Sequence, residues 1–297
     1  MSEAVARRPE WLKVRVPGGP NYAELKTIMR DNSLHTVCEE AHCPNMGECW
    51  EHRTATFMIL GEVCTRACGF CAVTSGKPVG LDLLEPLRVA DAVRRMGLRH
   101  VVITSVNRDD VPDGGSSIFA ATIRKVREKN PGCTIEVLIP DFEGVESSLL
   151  NVVNAEPELL DHNVETVERL TRRVRRKAQY RRSLAVLRRA KELAPNRLTK
   201  SGIMLGLSET NDEIAQTLVD LREARVDVVT IGQYLRPTAK HLAVDRFYTP
   251  EEFAHWREYG MALGFRHVES GPLVRSSYHA HEHAALAPPV AGHGPVQ

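Results

Sequence analysis

The chain has 297 residues, of which 42% are hydrophobic and 26% charged, with a formal net charge of +1 at pH 7. Such a composition excludes a collagen-like or intrinsically disordered chain, and no apolar run approaches the ~20 residues that a membrane-spanning helix requires. The opening stretch MSEAVARRPEWLKVRVP lacks an apolar segment for secretion and carries acidic residues, which argue against an import sequence, so a cytoplasmic protein is expected.

In chain order, residues 1–20 read as an extended arm punctuated by Pro9, Pro17, Gly18, Gly19 and Pro20. NYAELKTIMRDNSLHTV can hold a short helix, and a cysteine-rich segment then runs from Cys38 to Cys71. From TATFMILG onward, apolar runs alternate with amphipathic segments. TFMIL, HVVITSV, TIEVLIP, LLDHNV, KSGIMLGL and DVVTIGQYL are mostly continuous apolar runs, the pattern of parallel strands covered on both faces. Between them PLRVADAVRRMGL, SSIFAATIRKVREKNPG, YRRSLAVLRRAKELAP, TNDEIAQTLVDLREARV and TPEEFAHWREYGMALG carry helix periodicity and end signals. About six β-α units imply a parallel sheet. They are too few for a closed eight-fold barrel, so an α/β fold is expected, an open, partial (β/α)6 TIM-like barrel with N- and C-terminal extensions; a doubly wound sheet is the alternative. In a barrel, chemistry sits where strands end and βα loops begin, which is where the loop after TFMIL falls. Residues 284–297 read as a mobile tail.

Seven cysteines in a cytosolic chain point to metal binding or catalysis rather than bridges. Cys133, alone ahead of TIEVLIP, reads as a small buried hydrophobe. Cys64, Cys68 and Cys71 lie at gaps of three and two residues, so one loop can wrap one corner of an iron–sulfur cluster and leave one iron open. With Phe70 before the last cysteine, this spacing resembles the signature of the radical S-adenosylmethionine (SAM) superfamily. The resemblance implies a [4Fe–4S] cluster whose open iron chelates SAM and splits it to a 5′-deoxyadenosyl radical; Phe70 then lies beside the cofactor. A second triplet, Cys38, Cys43 and Cys49, favours a second cluster. Structural zinc is the alternative for either set, completed by His35, His42 or His52 in the second.

TVCEEAHCPNMGECW, TATFMILGEVCTRACGFCAV and VRSSYHA together resemble the lipoyl synthase family, with a match near continuous from Arg8 to Ala280. The resemblance implies three regions: an arm with the auxiliary-cluster motif over 1–54, the radical SAM barrel over 55–270, and a C-terminal extension over 271–297. It implies an auxiliary [4Fe–4S] cluster on Cys38, Cys43 and Cys49, with a serine of Arg275–Tyr278 as fourth ligand, Ser277 rather than Ser276. A harder oxygen ligand would make one weak corner in a cluster meant to give up sulfide. It also implies that Thr104 and Asn107, Asn163 and Glu165, Arg175, and Gly202 and Gly206 border SAM. Asn107 and Asp161 stand where the family more often has Asp and Asn, and Lys240 and His241 stand where it more often has two histidines.

The implied reaction inserts two sulfur atoms at carbons 6 and 8 of an octanoyl group carried on a lysine, with two SAM used per turnover. The implied partners are octanoylated lipoyl carrier domains of 2-oxoacid dehydrogenases and the glycine cleavage H protein, a ferredoxin- or flavodoxin-type reductant, and iron–sulfur carriers. Neither nucleic acid nor membrane is expected among the partners. Another radical SAM sulfur inserter, a non-catalytic iron–sulfur scaffold and a zinc-dependent nucleic-acid protein are the alternatives. Residues 169–200 hold thirteen Lys or Arg against one acid, Glu192; this stripe reads as a solvated helix face or a docking surface for an acidic protein. His279, His281, His283 and His293 are expected at the surface, not as ligands.

Overall fold

The computed structural model describes residues 8–14, 18–32, 34–40, 43, 45–51 and 55–286. His42, His52, His293 and residues 287–297 of the expected tail lie outside the described residues.

In chain order the elements are α1 (Pro20–Asp31), β1 (His35–Thr36), α2 (Val37–Glu40), α3 (Met46–Glu51), β2 (Thr56–Ile59), α4 (Glu85–Met96), β3 (His100–Ser105), α5 (Ser116–Lys129), β4 (Thr134–Leu138) and α6 (Glu146–Val153). They continue with β5 (Leu159–Asp161), α7 (Glu168–Val174), α8 (Tyr180–Leu193), β6 (Leu198–Leu205), α9 (Asn211–Glu223), β7 (Val228–Gln233), α10 (Pro250–Ala262), β8 (His267–Gly271) and α11 (Ala280–Ala284). Among the described residues the strands form one sheet in the order β1 to β8, antiparallel between β1 and β2 and parallel from β2 onward. The six expected strands are all present, and β8 extends them by one more parallel strand. The order closes on no shared edge, so the sheet is an open barrel.

Local chemistry sets the helix limits. Thr210 and Thr249 each form a reciprocal capping box, with Glu213 and Glu252, at the starts of α9 and α10. Gly97, at φ 61°, ends α4 in the left-handed conformation that glycine adopts without strain.

The pleat divides each strand between two environments. On the helix side, Ile203, Leu205, Val229, Ile231 and Val268 pack into one core with α7–α10, while Val101, Ile103, Ile135 and Val137 pack into another with α4–α6. Cys133 joins this second core, buried as expected. The opposite pleat faces the barrel interior and is polar. Lys200 and Glu136 are both fully buried there, with Nζ 2.6 Å from Oε1, and His100 Nε2 lies 3.7 Å from the other oxygen of Glu136. Burial alone would raise the Glu136 carboxyl, but Lys200 and His100 together more than offset it and hold it below its ordinary range. Asp161, beside Lys200 in register, is buried with both carboxylate oxygens unpartnered, and burial raises its carboxyl well above the usual range.

Two expectations change. The basic stretch 169–200 is not one surface. Lys200 is a barrel-interior residue, and Lys191 is buried against Asp227 at 2.7 Å. Arg169, Arg181 and Arg189 are paired with Glu213, Glu168 and Glu146. His283 is not at the surface. It is fully buried, because α11 packs against β3 and β4, whereas His279 is half-buried and His281 exposed.

Candidate metal centres

The loop Cys64–Cys71 leaves the C-terminal end of β2 and is fastened to the barrel on several sides. Cys64 N–H donates to Thr74 O at 2.8 Å, Gly76 N–H to Cys64 O at 2.9 Å, and Thr65 N–H to Asn107 O at 3.0 Å. Gly69 N–H donates to Val174 O, and Leu242 N–H returns a bond to Gly69 O. A Cβ on Gly69 would stand 2.9 Å from Leu242, so this tight approach requires glycine. The side chain of Arg66 spans from the loop to Asp109 (Nη2 to Oδ1, 2.8 Å) and Asp141 (2.7 Å). Burial alone would raise the Asp141 carboxyl; the hydrogen bond and charge of Arg66 more than offset it and hold it down to about 2. His241 places Nε2 3.0 Å from Cys71 O. Sequence marks Asn107 and His241 but not as anchors of this loop; Arg66 and Asp141 carry no local signal, whereas the paired acids of VNRDD are one for Asp109.

Cys64 is buried and Cys68 and Cys71 half-buried, all as free thiols. The backbone N–H groups of Arg66 and Asn107 point at Cys64 Sγ from 3.4 and 3.3 Å. Burial pushes the Cys68 thiol up to about 11 and Cys71 up to about 12; neighbouring cysteines and Glu165 add to the rise, and Arg175 opposes it at Cys68. Cys68 and Cys71 stay protonated at neutral pH unless a strong cation lies beside them, as a bound iron would.

Of the other expected cofactor residues, Asn107 bonds directly to this loop, and Glu165 and Arg175 act on its cysteines. Phe70 is half-buried against the α7–α10 core. Thr104 donates its hydroxyl to Leu138 O at 2.9 Å, so it bridges β3 and β4. Asn107 and Asn163 each leave a buried Oδ1 without a partner. Asn163 Nδ2 donates to Glu165 at 3.1 Å, and Arg175 Nη1 donates to Asn163 O at 2.8 Å. Glu165 is held at φ 66°, an uncommon conformation for a non-glycine residue. Burial raises its carboxyl; Arg175 and Arg275 pull it the other way. At Gly202 a Cβ would come 2.6 Å from Thr230 Oγ1 and 2.8 Å from Asn163 Oδ1. At Gly206, φ 105°, it would meet Arg246 O at 2.7 Å. The Glu209 carboxylate accepts from the N–H groups of Gly206 and Leu207, fixing the turn after β6. Unpaired amide oxygens beside backbone that admits no side chain suit a polar ligand such as SAM.

The second triplet lies on α2, α3 and the connection between them. Cys43 N–H donates to Cys38 O at 3.0 Å, and Cys49 N–H to Asn45 O at 2.9 Å. Cys38 is buried, Cys43 and Cys49 half-buried. Burial, then the charge of Cys43, pushes the Cys38 thiol up to about 12; Cys49 is raised by burial and by both other cysteines. The three sulfurs are therefore electrostatic neighbours. The C-terminal segment covers them. Asn45 Nδ2 donates to Leu273 O at 2.7 Å across 228 residues of chain, and Tyr278 Oη reaches Glu48 at 3.5 Å. Arg275 acts on both Cys43, whose thiol burial raises and Arg275 lowers, and Glu165. Arg275 is thus within electrostatic reach of Cys43 in one triplet and of Glu165, which in turn acts on Cys68 and Cys71 of the other. Asn45 escaped the sequence reading because nothing local marks its partner.

The model of the radical SAM superfamily matches residues 58–221, and that of the N-terminal domain of lipoyl synthase matches residues 2–43. A lipoyl synthase of Rubrobacter xylanophilus is 65% identical over 275 residues, covering 93% of this chain and 86% of that protein. A lipoyl synthase of Symbiobacterium thermophilum is 62% identical over 283 residues, covering 95% and 88%. Among solved structures, the FeFe-hydrogenase maturase HydG from Carboxydothermus hydrogenoformans aligns at a TM-score of 0.55 and 14% identity, covering 89% of this chain and 78% of that one. Streptococcus suis SuiB bound to S-adenosylmethionine aligns at 0.55 and 11%, covering 73% and 50%. These two likenesses concern the fold.

Proposed function

The chain belongs to the lipoyl synthase family of radical SAM enzymes, and we propose that its two cysteine triplets divide the reaction between them. It is a sulfurtransferase that inserts sulfur at carbons 6 and 8 of a protein-bound octanoyl group. The observation that supports the division is a chain of electrostatic contacts between the triplets: Arg275 acts on Cys43 and on Glu165, and Glu165 acts on Cys68.

Cys64, Cys68 and Cys71 would hold the radical [4Fe–4S] cluster, which together with SAM supplies a radical able to take hydrogen from an unactivated carbon. No side-chain base could do this by proton transfer. The chain's own residues bind and orient. Phe70, Thr104, Asn107, Asn163, Glu165, Arg175, Gly202 and Gly206 form the SAM surround. Within it, Asn163 and Glu165 suit amino or ribose hydroxyl groups, and Arg175 suits the carboxylate. The glycines let backbone approach the ligand. The buried barrel excludes water from a reactive intermediate.

Cys38, Cys43, Cys49 and Ser277 would hold the auxiliary cluster, a cosubstrate whose sulfide would be consumed. Arg275 sets the charge beside it. A scaffold role alone would not need the SAM surround.

The partners are octanoylated lipoyl carrier domains, those of 2-oxoacid dehydrogenases and the glycine cleavage H protein, with a ferredoxin- or flavodoxin-type reductant and iron–sulfur carriers to rebuild the donor. Arg172, Arg173, Arg176 and Arg188 are exposed and form no ion pair among the described residues, and Gly69 of the cysteine loop bonds to Val174, next to Arg173. They are the part of the basic stretch left for an acidic carrier domain. Free thiols at all seven cysteines suit a reducing cytoplasm. No helix among the described residues is long and apolar enough to cross a membrane.

The test is anaerobic incubation of the reconstituted protein with SAM, reductant and an octanoyl-lysine carrier peptide, counting product and 5′-deoxyadenosine. Two 5′-deoxyadenosine per lipoyl group supports the reading; cleavage with an unchanged peptide would remove the substrate from it.

A further inference from the structure

The C-terminal end of the fold gathers metal-ligating side chains that belong to neither triplet. His267 and Glu269 sit two residues apart on β8, so they share its inward face while Val268 between them packs into the helix-side core. His283 comes from α11. His267 Nε2 is 3.1 Å from Glu269 Oε2, and His283 Nε2 is 3.9 Å from the same oxygen. One ligand atom from each of the three residues lies within 4.8 Å of the other two.

The independent observation is His283 itself. It is 0% exposed, and neither ring nitrogen has a hydrogen-bond partner. A buried polar group left unsatisfied costs about 1–3 kcal/mol, so an imidazole held there calls for something to bind. Tetrahedral zinc with bonds of about 2.0–2.1 Å separates its ligand atoms by roughly 3.3 Å, a value between the two observed distances.

The surroundings fit a cation as well. His279 precedes α11 at φ 52°, four residues before His283. Its Nδ1 is 3.9 Å from Glu269 Oε1, the oxygen that the other two histidines do not approach, so it can orient the carboxylate from behind. Its ring stacks on Tyr278 at 3.9 Å. The segment Arg275–Tyr278 is thus suspended between β8 and α11, the two elements that these ligands would join.

We propose that His267, Glu269 and His283 form a mononuclear site for a divalent transition ion of the zinc class. The ion clasps α11 to β8 and so fixes the segment that covers the Cys38, Cys43 and Cys49 corner. Two imidazoles and one carboxylate are a borderline donor set suited to Zn(II), with one position left for water.

The test uses the full-length, cluster-loaded protein, dialysed anaerobically against a buffer of fixed low free Zn(II). Bound zinc is measured by mass spectrometry and its neighbours by X-ray absorption. The site predicts one zinc per chain beyond the iron, with a nitrogen and oxygen shell at about 2.0–2.1 Å and no sulfur. His283→Gln keeps a hydrogen-bonding side chain at that position and should weaken zinc binding at least ~10-fold, with iron and sulfide content unchanged. The half-buried His267→Asn should do the same. Failure to retain zinc, a sulfur shell at about 2.3 Å, or undiminished affinity in both variants would overturn the site.

Discussion

The two cysteine triplets are held in opposite ways. The Cys64–Cys71 loop is fastened by the barrel itself, through backbone bonds to Thr74, Asn107, Val174 and Leu242 and through the buried Arg66. The Cys38–Cys49 corner has its own short helices, but its cover comes from the far end of the chain, through Asn45 to Leu273 and Glu48 to Tyr278. One site is built to keep its geometry through many turnovers. The other is closed by the segment that follows β8, so its cover depends on contacts made far along the chain.

The strongest way to break this contrast is to remove one ligand from each triplet. Cys68→Ala should abolish 5′-deoxyadenosine formation. Cys43→Ala should keep SAM cleavage and stop sulfur insertion. Lipoyl product from Cys43→Ala, seen by mass spectrometry of the carrier peptide, would refute the donor assignment.

The barrel wall beneath both sites comes next. Lys200→Met removes the ammonium from a fully buried pair and leaves Glu136 with His100 alone beside it. Unfolding free energy from urea titration should fall by about 3–5 kcal/mol. A loss near zero would mean that the interior pair is dispensable.

Asp141 probes the anchoring of the radical loop. Its carboxyl is depressed from 3.8 to about 2 in the folded chain, so its stabilisation is complete above the unfolded value and disappears as pH falls through the folded one. Asp141→Asn should therefore cost on the order of 2 kcal/mol at pH 6, and the gap to the unsubstituted chain should close between about pH 4 and 2. Acid unfolding followed by circular dichroism measures it; a pH-independent gap would contradict the ion-pair origin.

Asn45→Ala cuts the tie between the ends, worth about 1 kcal/mol as a hydrogen bond. Sulfur insertion should slow several-fold while 5′-deoxyadenosine formation stays at its original rate. Equal slowing of both would show that the cover also supports the radical site. The smallest effect is expected at the mouth. Arg172→Glu with Arg176→Glu should raise KM for an acidic carrier domain roughly three- to tenfold at low salt and leave a short octanoyl-lysine peptide unaffected. Equal change for both substrates would place these arginines outside the docking surface.

The fold was legible where burial covers both faces of a strand. HVVITSV and DVVTIGQYL announce themselves as continuous apolar runs, and glycine and Thr-Pro-Glu-Glu mark the ends of α4 and α10. β8 was not legible, because its inward residues are His267 and Glu269 and Val268 alone is apolar in the run HVESG. Lys200 read as one charge in a basic stretch, since its partner Glu136 is 64 residues away. His283 read as tail surface for the same reason: what buries it is the contact of α11 with β3 and β4. Both triplets were legible because cysteine spacing within one loop is local. Their closeness through Glu165 and Arg275 was not, because those residues stand 110 positions apart in sequence and meet only in the folded barrel.

The most direct measurement is the fate of the auxiliary sulfide. The protein is reconstituted with isotopically labelled sulfide and incubated anaerobically with SAM, reductant and octanoyl-lysine carrier peptide, and the peptide mass is read. The division of labour predicts a product that has gained two labelled sulfurs and, in its oxidised ring form, lost two hydrogens. Unlabelled sulfur in the product, or an unchanged peptide while 5′-deoxyadenosine accumulates, would contradict it.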